Sequence, residues 1–273
     1  ELPSQETLDG FFKRKLSKAP KHIKADIPEW LQFAFEENFD EEWIVEARAL
    51  AERPPLDLRV NTLKAERDDA VKSLSDLAPE PTRWSPWGLR VRLSADAKSP
   101  AVHAEPAFIK GMVEVQDEGS QLAALLCDAR PGMAVADICA GGGGKTLALA
   151  AAMQGQGRLL ATDIDQARLD RGAIRMKRAG AGFVERRAEK NLAAEDLFGA
   201  FDRVLIDAPC SGTGAWRRHP DARWRLTPEA LETYKRSQHD LLRTAARLVK
   251  PDKPFSWRRV RMRSRRPVRI LCG

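Results

Sequence analysis

The stretch DICAGGGGKT, Asp137 to Thr146, stands between an apolar run and an alanine-rich one. Met133 to Ala136 precede it and, with Ile138 to Ala140, read as a fully buried parallel strand that stops at four glycines. Lys145 and Thr146 then open Leu147 to Met153, which reads as helix. A strand, a glycine turn and a helix let a backbone approach a ligand closely and aim free N–H groups at it. Two better-known glycine motifs are excluded. A phosphate-cradling P-loop needs glycine where Cys139 stands. The dinucleotide pattern G-x-G-x-x-G fails in both frames, ending on Thr146 or Leu147. By itself the turn leaves two readings open, a nucleotide-like ligand or a purely structural bend.

Downstream, Arg158 to Thr162 reads as a second buried strand ending at Asp163-Ile164-Asp165. An acid there, about twenty residues past the glycines, is where such folds hold a ribose hydroxyl pair. A helix N-cap is the other reading, and it suits Asp165 better than Asp163. Gln166 to Ala179 is expected to be helical, with Arg168, Arg171, Arg175, Lys177 and Arg178 mostly outward. Ala181 to Ala188 is a weaker third strand. Phe201 to Ile206 is a fourth, running into Asp207-Ala208-Pro209-Cys210-Ser211-Gly212-Thr213-Gly214. The carboxyl end of a parallel strand is where α/β folds put chemistry. Cys210 lies just beyond the apolar run, which favours a reactive thiol over a core one. From Trp216 to Arg225, arginines alternate with aromatics as in single-stranded nucleic-acid contacts. Thr227-Pro228-Glu229 starts a helix that runs to about Val249.

Upstream, two short helices are expected around Trp30–Ala34 and Glu41–Glu52, the second with Trp43, Ala47 and Leu50 on one face. Lys13 to Lys24 carries a basic cluster that reads as a phosphate-contacting arm or, more simply, a solvated segment. The alternating runs at Leu56–Val60 and Leu89–Leu93 flank a helix at Glu66–Leu77, making a small β-α-β unit. Arg59, Asn61, Arg90 and Arg92 then face RNA or simply face outward. Cys127, on the apolar face of the helix after Asp117, reads as a core thiol. These breaks give the expected organisation: 1–54 helical, 55–107 the small subdomain, 108–250 the main α/β domain, and 251–273 a basic tail.

The chain has 273 residues and a formal charge of +7. Lys253 and seven arginines against Asp252 supply all of it, so the chain before Pro251 is neutral overall. No run of eighteen apolar residues and no signal-peptide pattern occurs, which sets the expectation of a cytoplasmic protein without a membrane partner. Starting at Glu1, it is expected to be a fragment or processed. The four cysteines have neither zinc-site nor disulfide-framework spacing, so no metal is expected and reduced thiols are.

Five motifs in order resemble the Sun/Nop family of RNA cytosine-5 methyltransferases, on the bacterial RsmB/RsmF branch. They are PEWL at Pro28, LRVNTLK at Leu58, VQDEGSQL at Val115, DICAGGGGKT and DAPCSGTG. That resemblance implies a Rossmann-like class I methyltransferase sheet behind a helical segment and an RRM-like unit. It implies S-adenosylmethionine as cofactor, ribosomal RNA as partner, and action as a monomer. Cys139, Ala140, Gly141, Gly142, Gly143, Gly144 and Lys145 would wrap the methionine end. Asp163 would bind the ribose, Glu189 is a weak candidate for the adenine side, and Asp207 would line the cofactor and cytosine site. The family usually has proline at Gly142, and glycine there loosens the turn without removing its backbone donors.

The implied chemistry needs a thiol because carbon 5 of cytosine is a weak nucleophile until a thiolate adds at carbon 6. A carboxyl group near ring nitrogen 3 assists, and a base then removes the carbon-5 proton. In the family two cysteines divide the work. The one matching Cys210 releases the product; the nucleophile lies in a T-C-S motif after a K-P-G-G turn. That motif is absent here: Leu248-Val249-Lys250-Pro251 leads instead into DKPFSWRRVRMRSRRPVRILCG, and Cys272 is wrongly flanked. A lost reading frame near Asp252 or an RNA-binding tail on a pseudoenzyme both fit. Without a fifth strand the fourth becomes an exposed hydrophobic edge, an expected aggregation site.

Overall fold

The structure, a computed structural model, describes residues 4–12, 16–93, 98–188, 192 and 194–251. The expectations placed on Lys13, Arg14 and Lys15, on Glu189, and on the tail from Asp252 to Gly273 lie outside the described residues. Along the chain the elements are α1 Gln5–Phe12, α2 Lys21–Lys24, α3 Gln32–Phe39, α4 Trp43–Ala49, β1 Leu56–Val60, α5 Arg67–Ser73, β2 Glu80–Pro81 and β3 Gly88–Val91. There follow α6 Pro106–Ile109, β4 Val113–Val115, α7 Glu118–Leu125, β5 Ala134–Asp137, α8 Gly144–Ala152, β6 Arg158–Asp163 and α9 Gln166–Arg178. The last are β7 Glu185–Ala188, β8 Arg203–Leu205, α10 Ala222–Arg225 and α11 Pro228–Leu248.

The chain forms two compact units. One joins the helices before Pro55 to Cys210–Lys235. Its core is Ile27, Leu31, Phe35, Trp43, Ala47, Leu50, Trp216 and Leu226, so the expected face of the second helix is buried. Two expected RNA contacts are corrected here. Trp216 stacks on Phe35 with ring centroids 6.2 Å apart and is fully buried. Arg223 lies beneath it, also buried, and donates to both the carbonyl and the carboxylate of Asp26. The indole face and the Asp26 carboxylate offset the burial of the guanidinium charge, while Arg223 Nη2 and Trp216 Nε1 have no hydrogen-bond partner among the described residues. The block expected over 108–250 is therefore interrupted, since Cys210–Lys235 shares its core with the amino-terminal helices.

The other unit holds Pro55–Pro209 and the chain from Arg236 to Pro251. It contains two sheets. The smaller is antiparallel in the order β2-β3-β1-β4. Its fourth strand falls beyond the expected limit at 107, because the three residues Val113, Glu114 and Val115 are too short a run to stand out as a strand. β1 is thus an interior strand, with Leu58 opposite both Leu89 and Val115. That placement corrects a further expectation. Arg59 and Asn61 are buried, and Arg90 makes a bidentate pair with Asp57. Only Arg92 of the four stays well exposed, paired with Glu80.

The larger sheet is parallel, β7-β6-β5-β8. Its central strands are apolar on both faces, as expected of a doubly covered sheet. Val135, Leu159, Ala161, Leu147 and Leu169 pack on one side; Ala136, Ile138, Leu160, Leu241 and Leu248 pack on the other. β8 is only half-buried, contrary to the expectation of a buried strand. Beyond it the described residues supply one parallel bridge, Phe201 to Val249.

Candidate cofactor and catalytic site

The glycine turn is held from three directions. Ala140 N–H donates to Thr162 O at 2.9 Å and Gly143 N–H to Ala140 O at 2.9 Å. Gly141 N–H donates to Asp163 Oδ2 at 2.8 Å. Gly141 and Gly143 take φ of +54° and +82°, where only glycine is comfortable. A Cβ placed on Gly141 would meet nothing nearer than Asp163 Oδ2, at 4.0 Å, so the turn's outer surface is open. Gly144 and Lys145 begin α8, whose first-turn N–H groups have no helical acceptors and receive no side-chain cap. Cys139 is half-buried.

Asp163 closes β6 and is nearly buried. Its second oxygen accepts Asp165 N–H at 2.9 Å. The helix-capping duty falls to Asp165, which accepts Arg168 N–H at 3.2 Å. A carboxylate has about four acceptor positions, so Asp163 keeps capacity for a diol after fixing two amides.

Lys145 carries the turn across to the next strand. Its Nζ donates to Asp207 Oδ2 at 2.5 Å, with the lysine largely buried and the carboxylate more than half exposed. Asp207, Ala208 and Pro209 leave β8 here. Gln238 of α11 donates to Pro209 O at 2.7 Å and fixes the backbone just before the thiol. Cys210 follows directly, a half-buried reduced thiol that begins the stretch packed with the amino-terminal helices. Of the residues expected from the sequence, the structure brings Cys139 through Lys145, Asp163 and Asp207 together; Glu189 falls outside the described residues.

Asp137, Arg175 and Glu114 carried no functional reading in the sequence. Asp137, at the end of β5, is fully buried and accepts Thr146 Oγ–H at 2.8 Å. Burial pushes its carboxyl up to about 6. A lone acid closing an apolar strand was the available signal. Arg175 of α9 donates to Gly142 O at 2.8 Å and to Glu114 of β4 at 2.9 Å. Nothing in the local sequence links Arg175 and Glu114, since they meet only through the packing of the two sheets. Cys127 behaves as expected of a core thiol, pushed up to about 12 by burial. No cluster of three or more metal-ligating side chains occurs among the described residues, and none of their helices is long and apolar enough to cross a membrane.

A profile described as 16S rRNA methyltransferase RsmB/F matches residues 124–254, and one for the RsmF/B-like ferredoxin-like domain matches 27–97. A probable ribosomal RNA small subunit methyltransferase B of Synechocystis is 34% identical over 230 residues, which is 82% of this chain and 50% of that protein. The crystal structure of PH0851 superposes with a TM-score of 0.80 at 30% identity, covering 91% of this chain and 57% of that one. A methyltransferase homolog protein from Pyrococcus horikoshii gives a TM-score of 0.73 at 26% identity, covering 88% and 75%. The chain spans about half the length of the curated relatives it matches. At this identity over four fifths of its length, and with both profiles matched, the chain belongs to the RsmB/F family of 16S rRNA methyltransferases.

Proposed function

We propose that the chain binds S-adenosylmethionine on the tetraglycine turn and serves methyl transfer to carbon 5 of a cytosine in ribosomal RNA. The observation that carries this is the Lys145–Asp207 pair, which ties the glycine turn to the segment that ends in Cys210. The residues fit the cofactor. Gly141 leaves an open approach, the first amides of α8 are available, and Asp163 sits at the end of β6 as an acceptor. When bound, the cofactor supplies an electrophilic methyl group.

The chain's own residues do the rest. Lys145 holds the Asp207 carboxylate at a fixed place while leaving it accessible, so that it can accept from a base edge. Gln238 holds the Pro209 carbonyl and thereby the start of the thiol's backbone. This reading places the protein in the cytoplasm with ribosomal RNA as partner, acting as a monomer.

A second reading is favoured by one specific feature: no T-C-S motif follows Pro251, so binding would occur without turnover. One pair of measurements decides. Calorimetric titration with S-adenosylhomocysteine should show one site per chain; no binding would end both readings. Incorporation of labelled methyl into ribosomal RNA from a methylation-deficient ribosome then separates enzyme from binder.

A further inference from the structure

The guanidinium of Arg175 spans two parts of the molecule that sequence order keeps apart. One arm, Nη1, donates to Gly142 O in the middle of the glycine turn. The other, Nη2, donates to Glu114 on β4 of the small sheet. Glu114 is almost fully buried, and its second oxygen accepts from Arg178. Arg178 is itself stacked on Phe108, and Asn61 bonds both Gly111 O and Ala179 O at 2.8 Å, fastening the end of α9 to the small sheet. Buried Arg59 faces the same group. Its Nε donates to Gln116, its Nη2 has no hydrogen-bond partner among the described residues, and burial pulls its pKa down to about 10. Three arginines thus converge on one carboxylate directly behind the turn. Glu114 is buried on β4 and holds both Arg175 and Arg178, so the direction of Arg175 is set from the small sheet.

We propose that Arg175 is a positioning residue for the cofactor turn, aimed by Glu114, so that the small sheet sets the geometry in which the turn's amides are presented. This deepens the function proposed above and rests on it for the identity of the ligand. Gly142 is the turn residue that needs such a clamp. Its φ lies outside the left-handed region, its N–H makes none of the turn's hydrogen bonds, and its carbonyl is the clamp's acceptor. A Cβ at Gly142 would come within 3.3 Å of Arg175 Nη1. A proline ring at this position and the arginine clamp are therefore alternative ways to stiffen the same bond.

The test uses the full chain and two readouts, amide hydrogen exchange without ligand and titration with S-adenosylhomocysteine. Arg175→Met keeps the aliphatic stem and removes both bonds. Exchange at Gly141 and Gly143 should rise about tenfold while β5 and β6 keep their protection, and affinity should fall about tenfold. Arg175→Lys, which reaches one acceptor and not both, should fall between. Glu114→Gln should give a smaller change in the same direction. Adding Gly142→Pro to Arg175→Met should restore both readouts to within about threefold, whereas Gly142→Pro alone should weaken binding because the clamp is in its way. Wild-type exchange at the turn in Arg175→Met, or a rise shared by the whole parallel sheet, overturns the proposal. So does failure of the proline to rescue. If the exchange results hold but the wild type binds no S-adenosylhomocysteine, the clamp stands and the assigned cofactor does not.

Discussion

Asp137 shows how one side chain can stiffen a site at a cost in stability. Its carboxyl is sealed beneath the turn, where a single hydroxyl donor and the Cys139 amide face it, and burial raises its pKa to about 6. In the unfolded chain an aspartate titrates near 3.9. Between those two values the native state binds more protons than the unfolded one, so Asp137 favours folding below about pH 4. That contribution is lost as pH rises through about 6 and stays lost above it. Asp137→Asn keeps an acceptor for Thr146 and removes the titration. The variant should gain about 2–3 kcal/mol over wild type at pH 7, with the advantage fading toward pH 4.5. Urea unfolding at several pH values measures it, and a difference that does not change with pH would refute the account.

At the scale of elements, β1 joins the small sheet to α7 and α9. Asn61 at its end donates to two carbonyls, Gly111 O and Ala179 O, while accepting Leu63 N–H. Asn61→Ala leaves buried acceptors unsatisfied and should cost about 2–4 kcal/mol in thermal or urea unfolding, far more than a surface asparagine would. A loss under about 0.5 kcal/mol would mean that the two sheets are not fastened there. The alternation Leu56, Leu58, Val60 was legible as a strand, and the glycine turn, Asp163 and the Asp165 cap were legible from their spacing along βαβ units. What alternation cannot say is what covers the polar face. Arg59 points into the space under β4 and α9, and its partner Gln116 is 57 residues away. The same limit misassigned Trp216 and Arg223: an arginine–aromatic pattern looks alike whether RNA or Phe35 and Asp26 complete it.

For the whole molecule, net charge separates two ideas about RNA. Lys253 and the seven arginines beyond it, against Asp252, account for the full +7, and the remainder of the chain is neutral. Affinity for unstructured RNA comes largely from counterion release, so each phosphate contact makes log K fall by about 0.7 for every tenfold rise in salt on single strands. Every residue of the turn, and the Phe201–Val249 bridge beside β8, precedes the charged stretch. Ending the chain after Pro251 should therefore leave S-adenosylhomocysteine affinity unchanged. The same truncation should lower affinity for unstructured RNA at least tenfold at low salt and flatten its salt slope by about 2 or more. Filter binding across a salt series reads both quantities on one preparation. An unchanged slope would put the RNA contacts on the neutral body, where Arg92 and the outer face of α9 are exposed, and the basic stretch would then have no part in substrate capture.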